Sequence, residues 1–457
     1  MNGTQRRRIS ERLAGGVVFP LWARRTHAGY APWRAQFEQS QYWDAGKLGA
    51  WQQQQLGRLL AHAARHCQFY RERFARAGVD LGQPLAGWTH LPLLTKADLQ
   101  NHGPALEADN YGEHERERNQ TGGSTGTPLQ FYVDRARWDS RLASTWRHNA
   151  WAGLAPGDWV AQVWGHRLDL AGDHGWRERW KQRLLYRTLD LNSAHVAPGD
   201  WEAYLARLRR VRPRYLLAYA RAAVQLAEYV RAQGVHDIRF AAIITSAEVL
   251  EPAHRALLEE VFAAPVFNRY GCREVSVIAS ECSAHRGLHV NAEALLVEIV
   301  PAEGLDQPWG KVVITDLLNY AQPLIRYEIG DVGCWAEGPC PCGRKLPRLE
   351  AIAGRTTDFL QLPDGAVVSG PALTLVVADM GSVRQVQFVQ QASGAVRLRV
   401  IAGAGYGADT EEELRRRLRV YLGDSLELRI EPVAAIASEA SGKYRFVVQE
   451  QGGQAHV

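Results

Sequence analysis

Phe240-Ala241-Ala242-Ile243-Ile244-Thr245 is an almost wholly apolar run, and its reading decides the fold. A strand with one wet face alternates polar and apolar residues. A run without that alternation suits a strand covered by helices on both faces, as in a parallel sheet. The neighbouring segments agree. Upstream, Trp159 to Trp164 and Tyr215 to Leu217 read as strands, and Trp201 to Arg209 and Arg221 to Gln233 read as helices. Downstream, a helix from Pro252 to Phe262 leads into a strand from Val266 to Tyr270. Strand–helix–strand units in this succession specify an α/β domain.

The pattern continues outward on both sides. Residues 46–78 read as helical, with Leu56, Leu59, Leu60, Ala63 and Ala64 on one face and Gly78 as the stop. Thr95 is placed to cap a short helix, with Asp98 in the reciprocal position. Leu129 to Val133 reads as a strand and Arg135 to Trp151 as a helix. From Ala294 the texture changes to antiparallel strands, at Ala294 to Val300 and Lys311 to Leu317, and turn-rich loops. Beyond Gly354 come strands at Gln385 to Gln390 and Val396 to Ile401, a charged helix at Thr410 to Leu422, and a strand at Leu426 to Ile430. The expected architecture is a large N-terminal α/β domain with mixed and parallel sheets, residues 1–353, and a small mobile C-terminal α+β domain, residues 354–457.

A chain of 457 residues is too long for one core, and 46% hydrophobic with 23% charged residues is a globular composition. The 54 Lys+Arg against 49 Asp+Glu leave a net charge of +5, too small and scattered to mark a nucleic-acid partner. Arg6-Arg7-Arg8 before the apolar stretch Leu13 to Ala23 has the charge order of a signal peptide. Glu11-Arg12 intervene, however, Pro20 interrupts, and no small-residue cleavage site follows. That segment is expected to lie on the domain as an arm. With no stretch near the ~18 apolar residues of a membrane span, the expectation is a cytoplasmic protein without a membrane partner, monomeric or homodimeric. Six cysteines in this length do not form a disulfide scaffold.

Thr121-Gly122-Gly123-Ser124-Thr125-Gly126-Thr127-Pro128 carries the first chemical signal. Glycine lets successive backbone amides turn toward an anion, and such a nest binds phosphate oxygens. No lysine follows, so it is not a Walker loop, and a strand rather than a helix comes next, so it is not a dinucleotide fingerprint.

The loop resembles the phosphate loop of adenylate-forming enzymes, and the chain from about Leu91 to Val448 resembles their phenylacetate–CoA ligase and CapK-like branch. The resemblance implies that Thr121 to Thr127 hold the outer phosphates of ATP. Ser246-Ala247-Glu248, after the apolar run, matches the segment whose backbone contacts adenine, with Ser246 where glycine is common. Tyr270-Gly271-Cys272-Arg273-Glu274 matches Tyr-Gly-x-x-Glu, implying adenine stacking by Tyr270 and magnesium coordination by Glu274. Ile325-Arg326-Tyr327-Glu328-Ile329-Gly330-Asp331 resembles the family's Arg-Tyr-x-x-Gly-Asp, which implies that Asp331 accepts from the ribose hydroxyls. Gly354-Arg355-Thr356-Thr357-Asp358 matches the interdomain hinge, with Arg355 on ribose or phosphate and Thr357 replacing the usual first acid. Ser441-Gly442-Lys443-Tyr444-Arg445 sits where the family places its catalytic lysine, which makes Lys443 the foremost catalytic residue, beside Glu274.

Cys282-x2-His285 and Cys340-x-Cys342-Gly343 form two close pairs of soft ligands, the pattern of a closed structural zinc site. His289 is the alternative to His285, and Cys272 an outside candidate either as ligand or as nucleophile. The expected reaction is attack of a carboxylate on Mg–ATP to form an acyl-adenylate, then transfer to a thiol, by resemblance that of coenzyme A. Trp164 and Tyr219, among 15 tryptophans and 16 tyrosines, are expected acyl-pocket walls and favour an aromatic acid. Two other readings stand: transfer of the acyl group to an amine or carrier protein, and a non-catalytic zinc-containing nucleotide- or nucleic-acid-binding protein.

Overall fold

The structure, a computed structural model, describes residues 9–80, 83, 87–120, 129–164, 181–193, 200–302, 307–355, 359–362, 367–369, 373, 380–391, 393–422, 427–436 and 446–450. The glycine loop Thr121–Pro128, the hinge residues Thr356–Asp358 and the segment Ser441–Arg445 with Lys443 lie outside them.

The helices are α1 (Phe19–Thr26), α2 (Tyr30–Ser40), α3 (Ala45–His66), α4 (Gln68–Arg76), α5 (Lys96–Leu106), α6 (Arg135–Trp151), α7 (Asp200–Val211), α8 (Ala220–Ala232), α9 (Pro252–Phe262) and α10 (Ala408–Leu422). The first strands are β1 (Arg116–Gln120), β2 (Gln130–Asp134), β3 (Val160–Trp164), β4 (Thr188–Asn192), β5 (Tyr215–Tyr219), β6 (Ala242–Ser246) and β7 (Val266–Cys272). There follow β8 (Ser276–Glu281), β9 (Leu288–Val290), β10 (Leu295–Val300), β11 (Gly310–Asp316), β12 (Tyr327–Trp335) and β13 (Arg348–Arg355). The last are β14 (Phe359–Gln361), β15 (Val367–Ser369), β16 (Val383–Gln390), β17 (Val396–Ala402), β18 (Leu428–Pro432) and β19 (Val447–Gln449).

An 11-stranded sheet in the order β10-β11-β12-β13-β9-β8-β7-β6-β5-β3-β4 forms the frame. From β4 through β3, β5 and β6 to β7 it is parallel. From β7 onward every pairing is antiparallel. The apolar run ends in β6, where all five strand residues are buried, as a strand covered on both faces requires. Helices α7 to α9 present Leu205 and Leu208, Leu226 and Val230, and Leu258 and Phe262 at helical spacing to the parallel half. A second core joins α3, α4 and α5 to the antiparallel half. The single helix expected over 46–78 is broken at Cys67, whose extended backbone ends α3 and begins α4. The expected box at Thr95 is present, with Thr95 Oγ1 accepting from Asp98 N at 3.1 Å and Asp98 Oδ2 from Thr95 N at 2.8 Å. Past Arg355, strands β16 to β19 and α10 gather a core of their own, from Leu360 to Val447.

Helix α6 joins the halves of the first 353 residues. Asp134 caps it, accepting from Arg137 N at 2.7 Å. Three of its arginines are buried. Arg147 donates to Glu293 at 2.6 and 3.0 Å, to Asn291 Oδ1 at 2.8 Å and to the Phe37 carbonyl at 3.0 Å. Arg137 pairs with Asp316 at 2.8 Å, both side chains fully inaccessible. Arg141 donates to the carbonyl of Glu274. Breaking such a pair leaves an uncompensated buried charge. Glu293→Ala should therefore destabilise the protein by about 3–5 kcal/mol in urea unfolding, and Arg147→Met/Glu293→Leu should cost less than the single change.

Candidate functional site

The parallel strands run in the order β4-β3-β5-β6-β7, so the chain passes from β3 to one side and then returns past it to the other. The winding reverses between β3 and β5. A crevice opens at the carboxyl ends of the strands at such a switch point, and ligands of open α/β sheets bind there. Trp164 ends β3 and Tyr219 ends β5. Their rings lie 4.2 Å apart, centroid to centroid, tilted by 43°. The structure thus brings the two residues expected to wall the acyl pocket together at the switch point.

Ser246 ends β6, and Ala247 follows with φ +69°, in the left-handed region that disfavours a side chain. Glu248 Oε2 accepts the backbone N–H of Arg221 at 2.8 Å, putting a carboxylate on the first turn of α8. Next to it stand Glu251 and His254, which the sequence reading did not single out. Their facing atoms are 3.9 Å apart. Burial pushes Glu251 up to about 7, against the pull of Arg221, and His254 down to about 4. No short motif marks this pair; only the fold of the β6–α9 connection puts it beside Arg221.

The second group gathers where β7 meets the antiparallel half. Tyr270 donates to Asp331 Oδ2 at 2.7 Å, and Tyr327 donates to Glu274 Oε1 at 3.1 Å. Asp331 lies opposite Arg355 across the β12–β13 pairing. Gly271 is required by close approach, since a Cβ there would overlap the carbonyl oxygen of Ser276 on β8. Tyr327 was legible in the sequence as part of a motif, but its tether to Glu274 spans 53 residues and was not. A cleft of about 320 Å³ lined by Arg118, Asn119, Gln120 and Arg273 lies at the end of β1, immediately before the glycine loop. Its two guanidinium groups suit an anion.

The cysteine cluster is assembled with one change. Cys282, His289, Cys340 and Cys342 bring their ligand atoms within 4.8 Å of one another. Cys282 Sγ and Cys340 Sγ are 3.7 Å apart, and Cys342 Sγ is 3.3 Å from His289 Nε2. Zn–S bonds of about 2.3 Å in a tetrahedron give sulfur–sulfur edges of about 3.8 Å, so the donor set fits zinc. His285 is not in the set. Its backbone turns left-handed at φ +48°, its ring lies 4.8 Å from that of Phe267, and its Nδ1 faces Glu281 at 3.2 Å. His289, on β9, takes its place. Cys272 stands apart from the cluster, and desolvation together with the Glu274 carboxylate raises its thiol well above the ordinary range. A protonated thiol is a poor nucleophile.

The chain was compared with known proteins. The CapK C-terminal domain family matches residues 360–450. A phenylacetate–coenzyme A ligase of Thermus thermophilus is 30% identical over 329 residues, covering 69% of this chain and 72% of that protein. The chain belongs to the phenylacetate–coenzyme A ligase family. The family member of Aromatoleum evansii is 23% identical over 432 residues, 89% of this chain and 95% of that one. A crystal structure of 2-hydroxyisobutyryl-CoA ligase with a bound acyl-AMP superposes with a TM-score of 0.69 at 22% identity, over 90% of this chain and 91% of that one. That likeness establishes the adenylate-forming fold. In this ligase family member, alkylation with iodoacetamide at pH 7.5 should modify Cys272 at least about tenfold more slowly in the native protein than in urea, as mass spectrometry of digests would measure.

Proposed function

We propose that the chain couples ATP to an aromatic carboxylic acid, forming an acyl-adenylate and pyrophosphate, and passes the acyl group to the thiol of coenzyme A. The observation that carries this reading is the pairing of Tyr270 with Asp331 and of Tyr327 with Glu274, next to a cleft lined by Arg118 and Arg273 whose Gln120 directly precedes the glycine loop in sequence. Family membership supports it, since the relatives are phenylacetate–coenzyme A ligases, and phenylacetate is the first acid to try.

In this reading, Thr121 to Thr127 cradle the outer phosphates, and Asp331, oriented by the Tyr270 hydroxyl, accepts from the ribose. The backbone at Ser246, Ala247 and Glu248 borders adenine, with Tyr270 and Gly271 on its other side. Arg355, paired with the Asp331 strand, reaches ribose or phosphate. Glu274 offers a hard carboxylate oxygen, held by Tyr327, of the kind Mg2+ takes beside phosphates. The substrate carboxylate, seated against Trp164 and Tyr219, attacks the α-phosphorus, and the bond to the pyrophosphate oxygen breaks. Lys443 stabilises the negative charge that builds up at the phosphate oxygens. The coenzyme A thiolate then attacks the acyl carbonyl and AMP leaves. Residues 354–457 form a lobe that turns about Arg355 between the two steps. Both nucleotide substrates are intracellular metabolites, which favours the cytoplasm as the place of reaction.

Cys282, His289, Cys340 and Cys342 would hold zinc in a closed, structural site with no open position. Its donors come from the end of β8, from β9 and from the loop before β13, so it would tie three segments of the sheet together.

ATP–pyrophosphate exchange over a panel of aryl and alkyl acids tests the function. Exchange should appear with an aryl acid and fall by about 100-fold or more in Lys443→Ala. Exchange with no acid would sink the reading; AMP release independent of coenzyme A would instead favour an amine or carrier acceptor. Elemental analysis should find about one zinc per chain, and a value below about half would remove the metal site.

A further inference from the structure

The whole net charge of the chain falls within its first 26 residues in sequence, the described part of which is a helical arm over residues 9–26. Residues 1–26 carry six arginines, at 6, 7, 8, 12, 24 and 25, against the single acid Glu11, a net of +5. The remaining 431 residues balance at 48 Lys+Arg against 48 Asp+Glu, so the excess is not scattered as the composition alone suggested.

The same arm carries an exposed apolar stripe. Ile9, Leu13, Val17 and Leu21 are spaced by four and stand on one helical face, exposed by 43, 55, 48 and 61%. Among the described residues, ten large hydrophobic side chains are exposed, and seven lie on this arm or at Leu184 and Tyr186 beside it. The rings of Tyr186 and Trp22 are 5.9 Å apart, so the patch is continuous. The opposite face is fixed to the domain. Phe19 and Ala23 are buried, Phe19 meets Trp146 edge-on at 5.2 Å, and a Cβ at Gly15 would overlap the Pro156 carbonyl oxygen. The apolar stripe is therefore turned away from the domain, toward solvent. Exposed Arg12, Arg24 and Arg25 flank it.

We propose that this face docks the enzyme on an anionic lipid surface, the arm lying in the plane of the headgroups with Ile9, Leu13, Val17 and Leu21 inserted. An apolar stripe bordered by arginines is the chemistry of interfacial helices, and anionic headgroups attract the cluster from within a Debye length. A second copy suits the face poorly, because a two-fold contact would set the exposed Arg12, Arg24 and Arg25 of one arm against those of another. No described helix is long and apolar enough to cross a membrane, so the attachment is peripheral.

The test is flotation of the full chain with phosphatidylcholine vesicles, with and without about 30% phosphatidylglycerol, at low and high salt. Binding should require the anionic lipid and weaken with salt. Leu13→Gln/Leu21→Gln and Arg24→Gln/Arg25→Gln should each lower the partition coefficient at least about tenfold, at an unchanged melting temperature. Both pairs are solvent-facing, and either one folding normally suffices for the comparison. The proposal is overturned by absence of binding to any vesicle, by equal binding of the variants, or by a concentration-dependent dimer in light scattering that Leu13→Gln/Leu21→Gln abolishes.

Discussion

The buried guanidinium groups of α6 are the constraint on which the rest of the large domain depends. Arg137, Arg141 and Arg147 are buried, and a charge in such surroundings must be compensated by partners. Those partners come from far along the chain: Asp316 from β11, Glu293 and Asn291 from the loop before β10, and the Phe37 carbonyl from α2. Each hydrogen bond dictates where a separate element must lie against the helix. The direct consequence for the site is that Arg141 and Arg137 also hold the carbonyls of Glu274 and Val275. The turn bearing Glu274 is set by the ion-pair network, not by its own short sequence.

Strand β7 explains why two kinds of sheet share one frame. It pairs parallel with β6 and antiparallel with β8, so it belongs to both halves. The parallel half supplies a topological switch point with the rings of Trp164 and Tyr219 at its strand ends. The antiparallel half supplies Asp331 and Arg355 from adjacent strands, and the hydroxyls that orient two carboxylates. Tyr270 stands on the shared strand, so the proposed adenine and acyl sites would be neighbours. A reaction between bound acid and bound nucleotide needs that proximity more than it needs any single group.

The cysteine cluster and the N-terminal arm act at the periphery of this frame. One would fasten β8, β9 and the loop before β13. The other presents a face that the domain leaves unsatisfied. In both, the informative feature is polar or apolar surface in the opposite place from where a plain globular chain would put it.

Much of this could be read from residues in order. The helices expected at Arg135 to Trp151 and about Pro252 to Phe262 are present over those residues, although the first buries mainly arginines, serines and other polar side chains that no apolar period announces. The Thr95 box and the buried strand at Phe240 to Thr245 are local. Motif order pointed to the family, and it singled out Tyr270, Glu274 and Asp331, of which the structure joins Tyr270 to Asp331. What only tertiary structure decided were pairings across long stretches of chain. Among these are His289 instead of His285, the Tyr327–Glu274 tether, the Glu251–His254 pair beside Arg221, and the outward stripe of Ile9 to Leu21. A sequence states which side chains are available and at what local period. Which of two nearby histidines meets a thiol 53 residues away, and which helical face is covered, depends on strand register and on what packs opposite.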